Sequence, residues 1–287
     1  SPDVLIGPRS SEEAMPSSAQ EGMHFLQQFE QEKSLLNRPA LFRIQGPLSV
    51  DGLRKSFARI VERHEVLRTT YHLADTGLTT RIESPSTPEI RVLDFAGLPG
   101  SERAIRAMEA ARKEARRPFD LSRDLMLRVT VMRLDEEEHY LFLNMHHIAS
   151  DGWSSAVLFR ELSALYSAHC ERRSPSLPEL PIQYADFVAW QHRWLRGEFV
   201  EEQISYWKKT LEGSTEPVEL PMDRPRPVTR TYRGQKESIV LPRELAQSIK
   251  AFSNKHGVTL FMTALAAFQT RSEEHTSELQ SLAYLAC

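Results

Sequence analysis

Residues 139–154, HYLFLNMHHIASDGWS, gather the side chains of this sequence best suited to chemistry into one short stretch. An apolar run ends in two adjacent imidazoles, His146 and His147, and Asp151, Gly152, Trp153 and Ser154 follow. Histidine is the side chain that exchanges protons most readily near neutral pH, so proton handling is the first chemistry to consider. In a strand, successive side chains face opposite ways. Leu141, Leu143, Met145 and His147 then share one face, and Phe142, Asn144, His146 and Ile148 share the other. The two imidazoles cannot meet on one atom. One is expected to point into a site and the other to support the backbone from behind.

That divergence argues against a metal held jointly by His146, His147 and Asp151, because a metal needs convergent ligands. Ser154 lacks the strand–turn–helix elbow of a GxSxG nucleophile and reads as a helix-start residue. Cys170 sits near a helix end and is read as inert, and no P-loop or GxGxxG pattern occurs.

The elements that must position these residues follow from periodicity. A helix starts at Ser17 or Ser18, with Met23, Leu26 and Phe29 as its apolar stripe. A strand covers 40–45, and Ser49 then caps a helix whose inward face is Leu53, Phe57, Ile60 and Val61. Strand-like segments follow at 68–73, 79–83 and 90–95, then a polar helix from Ser101 to Arg116. Two further strands, 125–134 and 139–148, are joined by the acidic loop 135–138. The helix after Gly152 turns Val157, Leu158, Leu162 and Leu165 inward. Residues 172–183 are proline-rich and mark a boundary. A strand at 236–241, a helix at 243–256 and the start of another follow.

At 287 residues the chain has room for a large domain or two lobes. Its 40% apolar and 26% charged residues are ordinary for a globular protein, and a net charge of -3 gives no nucleic-acid footprint. No apolar run approaches a membrane span, no signal-like pattern opens the sequence, and Cys170 and Cys287 form no disulfide framework. A cytoplasmic protein with no membrane or nucleic-acid partner is the expectation.

The pattern His146-His147-x-x-x-Asp151-Gly152 resembles the HHxxxDG motif of nonribosomal peptide synthetase condensation domains and of the wider chloramphenicol acetyltransferase-like superfamily. Further stretches extend the likeness over residues 17–270. SAQEGMHFL (18–26) resembles the family's SxAQxRxWxL, departing at Gly22 and His24, and RHEVLRTTY (63–71) resembles RHExLRTxF. Pro118-Phe119-Asp120-Leu121, YADFVAW (184–190) and LPMDRPRP (220–227) resemble PFDL, YxDFAxW and LPxDRPRP.

The resemblance implies an α/β fold: an α+β sandwich forming a chloramphenicol acetyltransferase-like lobe, followed by the beginning of a second similar lobe. The implied organisation is a linker at 1–16, a first lobe at 17–174, connector and helices at 175–232, and the start of a second lobe at 233–270. Residues 271–281, RSEEHTSELQS, match the translation of a common sequencing-library adapter. Residues 271–287 are therefore expected to be an artefactual tail replacing the rest of the second lobe, which would leave this fragment inactive.

The implied reaction is amide formation between an acyl or peptidyl thioester on an upstream carrier and the amine of an aminoacyl thioester on a downstream one. An α-amine with a pKa of about 7.7–8 is substantially neutral already, so alignment, oxyanion stabilisation and proton removal are the demanding points. By the resemblance His147 is the catalytic histidine, as base or as positioner. His146 is structural, and Asp151 pairs with a buried arginine and fixes the loop. Arg68 is preferred for that pairing over Arg63, which stays open. Gly152 allows close backbone approach at a helix start whose amides favour an anion, and Trp153 and Ser154 support the site.

No cofactor is expected to bind the domain itself. The substrates ride on the 4'-phosphopantetheine arms of carrier domains, and an adjacent adenylation domain is a further partner. Two alternatives are a stand-alone acyl-CoA-dependent acyltransferase of the same superfamily and a non-catalytic module that docks carriers. The stretches RHEVLRTTY, YADFVAW and LPMDRPRP favour the condensation domain, and an intact His147 argues against pure docking.

Overall fold

The computed structural model describes residues 6–9, 15–75, 77–195, 198–213, 224–225, 234 and 237–273. The chain divides into two compact units, Ser1–Pro221 and Met222–Cys287.

The first unit is built on a mixed sheet of four strands in the order β1 (Asn37–Gln45), β6 (Glu138–His146), β5 (Leu127–Arg133) and β4 (Ile90–Asp94). β6 runs antiparallel to both neighbours, while β4 and β5 are parallel. Helix α2 (Val50–Arg63) and helix α4 (Gly152–Cys170) cover one face, which we call the front. There Leu53, Phe57, Ile60 and Val61 meet Val129, Val131, Leu141, Leu143 and Met145 from the sheet and Leu158, Leu162 and Leu165 from α4. Helix α3 (Gly100–Ala115) covers the back, where Ala107 and Ala111 pack on Met132 and Phe142. Alternation along β6 therefore sorts its side chains between two cores.

Gly52 sets the spacing of the front helices. A Cβ there would lie 2.6 Å from the ring of His169 and 3.1 Å from that of Tyr166, so any larger residue would force these α4 side chains to move.

β2 (Thr69–Ala74) and β3 (Gly77–Ile82) form a separate ribbon, tied to the main sheet by the Met126 N–H, which donates to the Leu67 carbonyl at 2.8 Å. Helix α1 (Ser18–Phe29) is capped by Ser17. Its expected apolar stripe is only partly buried. Met23 packs inward, whereas Leu26 is partly exposed and Phe29 is 71% exposed. The helix instead buries Gln20, whose hydrogen bonds replace the missing apolar contact.

The first described residues are not a free linker. The Arg9 N–H donates to Asp186 Oδ1 at 3.0 Å, and its guanidinium bridges Glu65 and Asp186. Helix α5 (Tyr184–Trp194) joins this unit through Asp186 and the buried Val188, and helix α6 (Glu198–Thr210) follows. Residues 175–221 thus group with the first unit.

In the second unit, helix α7 (Arg243–Lys255) and helix α8 (Leu260–Glu273) are joined by a 2.7 Å bond between Ser253 Oγ and Thr263 Oγ1. The strand expected at 236–241 is not formed over its described residues. Residues 237–242 belong to no strand, and Ile239 and Val240 are about nine-tenths exposed. β-Branched residues read as a strand only where a neighbouring edge exists to pair with. Residues 271–273 close α8, and the rest of the suspected adapter-like tail lies outside the described residues.

Candidate functional site

β6 carries the two imidazoles to its C-terminal end, and the alternation separates them as the spacing predicts. His146, the last strand residue, is fully buried on the back with its ring edge-on to Phe119 at 5.7 Å. Its Nδ1 accepts the Ile148 N–H at 3.1 Å, which fixes the neutral tautomer with the proton on Nε2. Burial, and then the neighbouring His147 and Arg128, push its pKa down to about 4.

His147 lies one residue beyond the strand. Its N–H donates to the Leu36 carbonyl at 2.9 Å, and its half-buried ring lines a cavity of about 510 Å³. Nδ1 is buried without a hydrogen-bond partner among the described residues, so Nε2 is the nitrogen that can meet a ligand. Cavity walls come from Ile60 of α2 and His64 just past its end, from Val157 and Leu158 of α4, and from Gln20, Met145, Ile148 and Tyr184. Trp153, 81% exposed, stands at the rim.

The turn that follows His147 is held tightly. The Ala149 N–H donates to the His146 carbonyl at 3.1 Å, and Ser150 Oγ donates to the same oxygen at 3.0 Å. Gln20 closes it from outside the strand. Its Nε2 donates to the Ile148 carbonyl at 3.2 Å and to Tyr71 Oη at 2.8 Å, while its Oε1 accepts the Ser17 N–H.

Asp151 corrects the expectation of an arginine pair. It is exposed and caps α4, accepting the Ser154 N–H at 2.8 Å and Ser154 Oγ at 2.7 Å on Oδ1. These bonds, with Arg38 as a more distant cation, hold its carboxyl below the usual aspartate range. Among the described residues no ion pair joins it to an arginine. Arg63 pairs with Glu161 at 3.1 Å, and Arg68 donates to the Glu83 carbonyl and lies 4.0 Å from Glu65. The physical reason is local. A helix start has free N–H groups two and three residues on, and an aspartate at that position meets them before any distant guanidinium.

Gly152 is corrected as well. A Cβ there would meet nothing within 4 Å, so no close backbone approach requires glycine. The helix start is also no vacant anion site, since the Asp151 carboxylate already takes the Ser154 N–H. Ser154 is the reciprocal half of this capping box, as a helix-start residue should be.

Gln20 and His64 fall within the sequence motifs, but nothing in those motifs gives them a part in the site, and Glu161 lies outside all of them. A signal for Glu161 is nonetheless present: a carboxylate beside Leu158, Leu162 and Leu165 on an apolar helix face.

The family model of the condensation domain matches residues 10–277. The chain belongs to the condensation-domain family. It is 41% identical over 274 residues to a linear gramicidin synthase of Brevibacillus parabrevis, covering 95% of this chain and 5% of that protein. It is 37% identical over 270 residues to the phosphinothricin tripeptide synthetase PhsC of Streptomyces viridochromogenes, covering 93% of this chain and 25% of that one. Among solved structures it resembles the X-domain in a complex of the X-domain and OxyB from teicoplanin biosynthesis. The TM-score is 0.70 at 27% identity, over 80% of this chain and 50% of that one. This condensation-domain chain therefore spans between one-twentieth and one-quarter of these two curated relatives. No described helix is long and apolar enough to cross a membrane.

Proposed function

We propose that this condensation domain joins an acyl or peptidyl thioester to the amine of an aminoacyl thioester, with His147 as the proton-handling residue. The observation that carries the reading is the placement of His147 at the cavity while its neighbour is sealed in the core. The amine lone pair attacks the thioester carbon, the N–C bond forms, and the C–S bond breaks. The proton lost from nitrogen ends on the departing sulfur. His147 Nε2 sits where it can accept that proton or hold the amine N–H in line, and either role lowers the barrier. Ile60, Val157, Leu158 and Trp153 give the cavity an apolar wall that keeps water from competing for the thioester.

The substrates in this reading are borne on phosphopantetheine arms of upstream and downstream carrier domains, with an adenylation domain as a further partner, in the cytoplasm. Asp151 shapes the entrance by starting α4 and does not touch the reacting atoms.

A second reading, a docking module without chemistry, is favoured by the likeness to an X-domain whose solved structure is a complex with OxyB. One experiment separates the readings. The full-length protein is given a carrier-bound amino acid together with an acyl donor, either carrier-bound or as acyl-CoA, and the amide is followed by mass spectrometry. Product from the carrier-bound donor supports condensation, and product from acyl-CoA alone supports the stand-alone acyltransferase. Carrier binding with no product from either donor supports docking.

A further inference from the structure

The cavity that holds His147 has a second imidazole in its wall. His64 lies just past the end of α2, with its backbone fixed by bonds from its own N–H to the Ile60 carbonyl and from the Leu67 N–H to its carbonyl. Its Nε2 lies 2.7 Å from Glu161 Oε2. Glu161 is 4% exposed, and its other oxygen accepts Arg63 Nε at 3.1 Å. An ionised carboxylate can only accept, so Nε2 is the nitrogen that donates to Glu161. With the proton of a neutral ring on Nε2, Nδ1 is an acceptor. Among the described residues it takes no hydrogen bond, yet it is not sealed from solvent as His147 Nδ1 is.

The rest of the lining makes that nitrogen conspicuous. Gln20 is fully engaged by Ser17, Tyr71 and Ile148, Tyr184 Oη is shared with Ser17 Oγ, and Ser154 is bound to Asp151. Ser150 donates to the His146 carbonyl, Asp151 lies at the start of α4, and the remaining surface is largely aliphatic. A substrate amide entering such a wall loses water from its N–H and needs an acceptor, or it bears a cost of about 1–3 kcal/mol.

We infer that His64, oriented by Glu161, is a positioning residue whose Nδ1 accepts an amide N–H of the bound substrate arm. The inference rests on the amide-forming reading and adds the group that registers the substrate against His147. No bond is made or broken at His64.

The test is direct binding to the full-length protein, by calorimetry, of an amide-linked, non-reacting analogue of an aminoacyl thioester on an N-acetyl-aminoethyl arm. It is compared with the same analogue N-methylated on the arm amide. The wild type should bind the N–H form about three- to tenfold more tightly, the value of one hydrogen bond. His64→Phe should abolish that ratio, and His64→Gln, which keeps an acceptor, should restore part of it. Thermal melting of each variant shows that it is folded. A purely structural His64 would change melting and leave the ratio alone. Equal binding of both analogues by a wild type that condenses its carrier substrates overturns the inference only. A wild type that neither binds nor condenses overturns the reading beneath it as well.

Discussion

The two faces of β6 show how one residue step changes what an imidazole can do. On the back, Phe142 packs against α3, Asn144 donates to the Glu114 carbonyl at 3.0 Å, and His146 closes the row against Phe119 with its charge suppressed. On the front, Leu141, Leu143 and Met145 build the main core, and the same row ends at His147 beside an open cavity. The row that is most apolar thus delivers the polar group of interest. The back supplies rigidity, and the front supplies a place for a ligand.

The largest expected effect breaks the front. Glu161→Ala leaves the Arg63 guanidinium buried without its carboxylate, and such a loss costs about 3–5 kcal/mol. Chemical denaturation should show it as an earlier midpoint with an unchanged slope. A loss below about 1 kcal/mol, the range of a surface pair, would mean that the network is solvated.

Next comes the back, tested by acid. His146 titrates near 4 in the folded chain against about 6.5 unfolded, so between these values the unfolded chain binds the extra proton. Stability is therefore full above about pH 6.5 and falls as the pH drops toward 4, by about 3 kcal/mol for this one group. His146→Gln should flatten that part of the pH–stability curve relative to the wild type. Parallel curves would show that burial of His146 does not control its charge.

A third measurement sets the two faces side by side. In the full-length protein His147→Ala should lower condensation by about tenfold or more, the low end for a positioned proton-handling group. Its melting temperature should stay near that of the wild type, while His146→Ala should melt earlier. Equal losses of stability in both would erase the distinction between front and back.

Much of this was legible in the sequence, for a physical reason. Period-two alternation in 139–148 and the helical stripe Leu53, Phe57, Ile60 and Val61 report burial directly, so the sheet, its covering helices and the divergence of the histidines follow from them. Partners were not legible. Whether Arg63 meets Asp151 or Glu161 depends on how two helices pack, and that distance leaves no periodic trace. The expected strand at 236–241 failed for a related reason: its residue types suit a sheet, but pairing needs an edge that composition cannot supply.

The smallest effect is the one that separates an arginine pair from a helix cap at Asp151. If a buried guanidinium depended on this carboxylate, Asp151→Ala would cost several kcal/mol and Asp151→Asn nearly as much, because the amide cannot neutralise a cation. The structure has an exposed cap instead, bonded to Ser154 through its N–H and its hydroxyl. Loss of a cap costs about 1 kcal/mol, and asparagine caps nearly as well as aspartate. Asp151→Ala should therefore lower stability by about 1 kcal/mol and Asp151→Asn by only a few tenths, both read from denaturation midpoints. Ser154→Ala removes the reciprocal bond and should cost less in combination with Asp151→Ala than alone, since the two share one interaction. Strict additivity between them would show that the capping box does not operate. A cost of several kcal/mol for the asparagine variant would return the arginine pair to consideration.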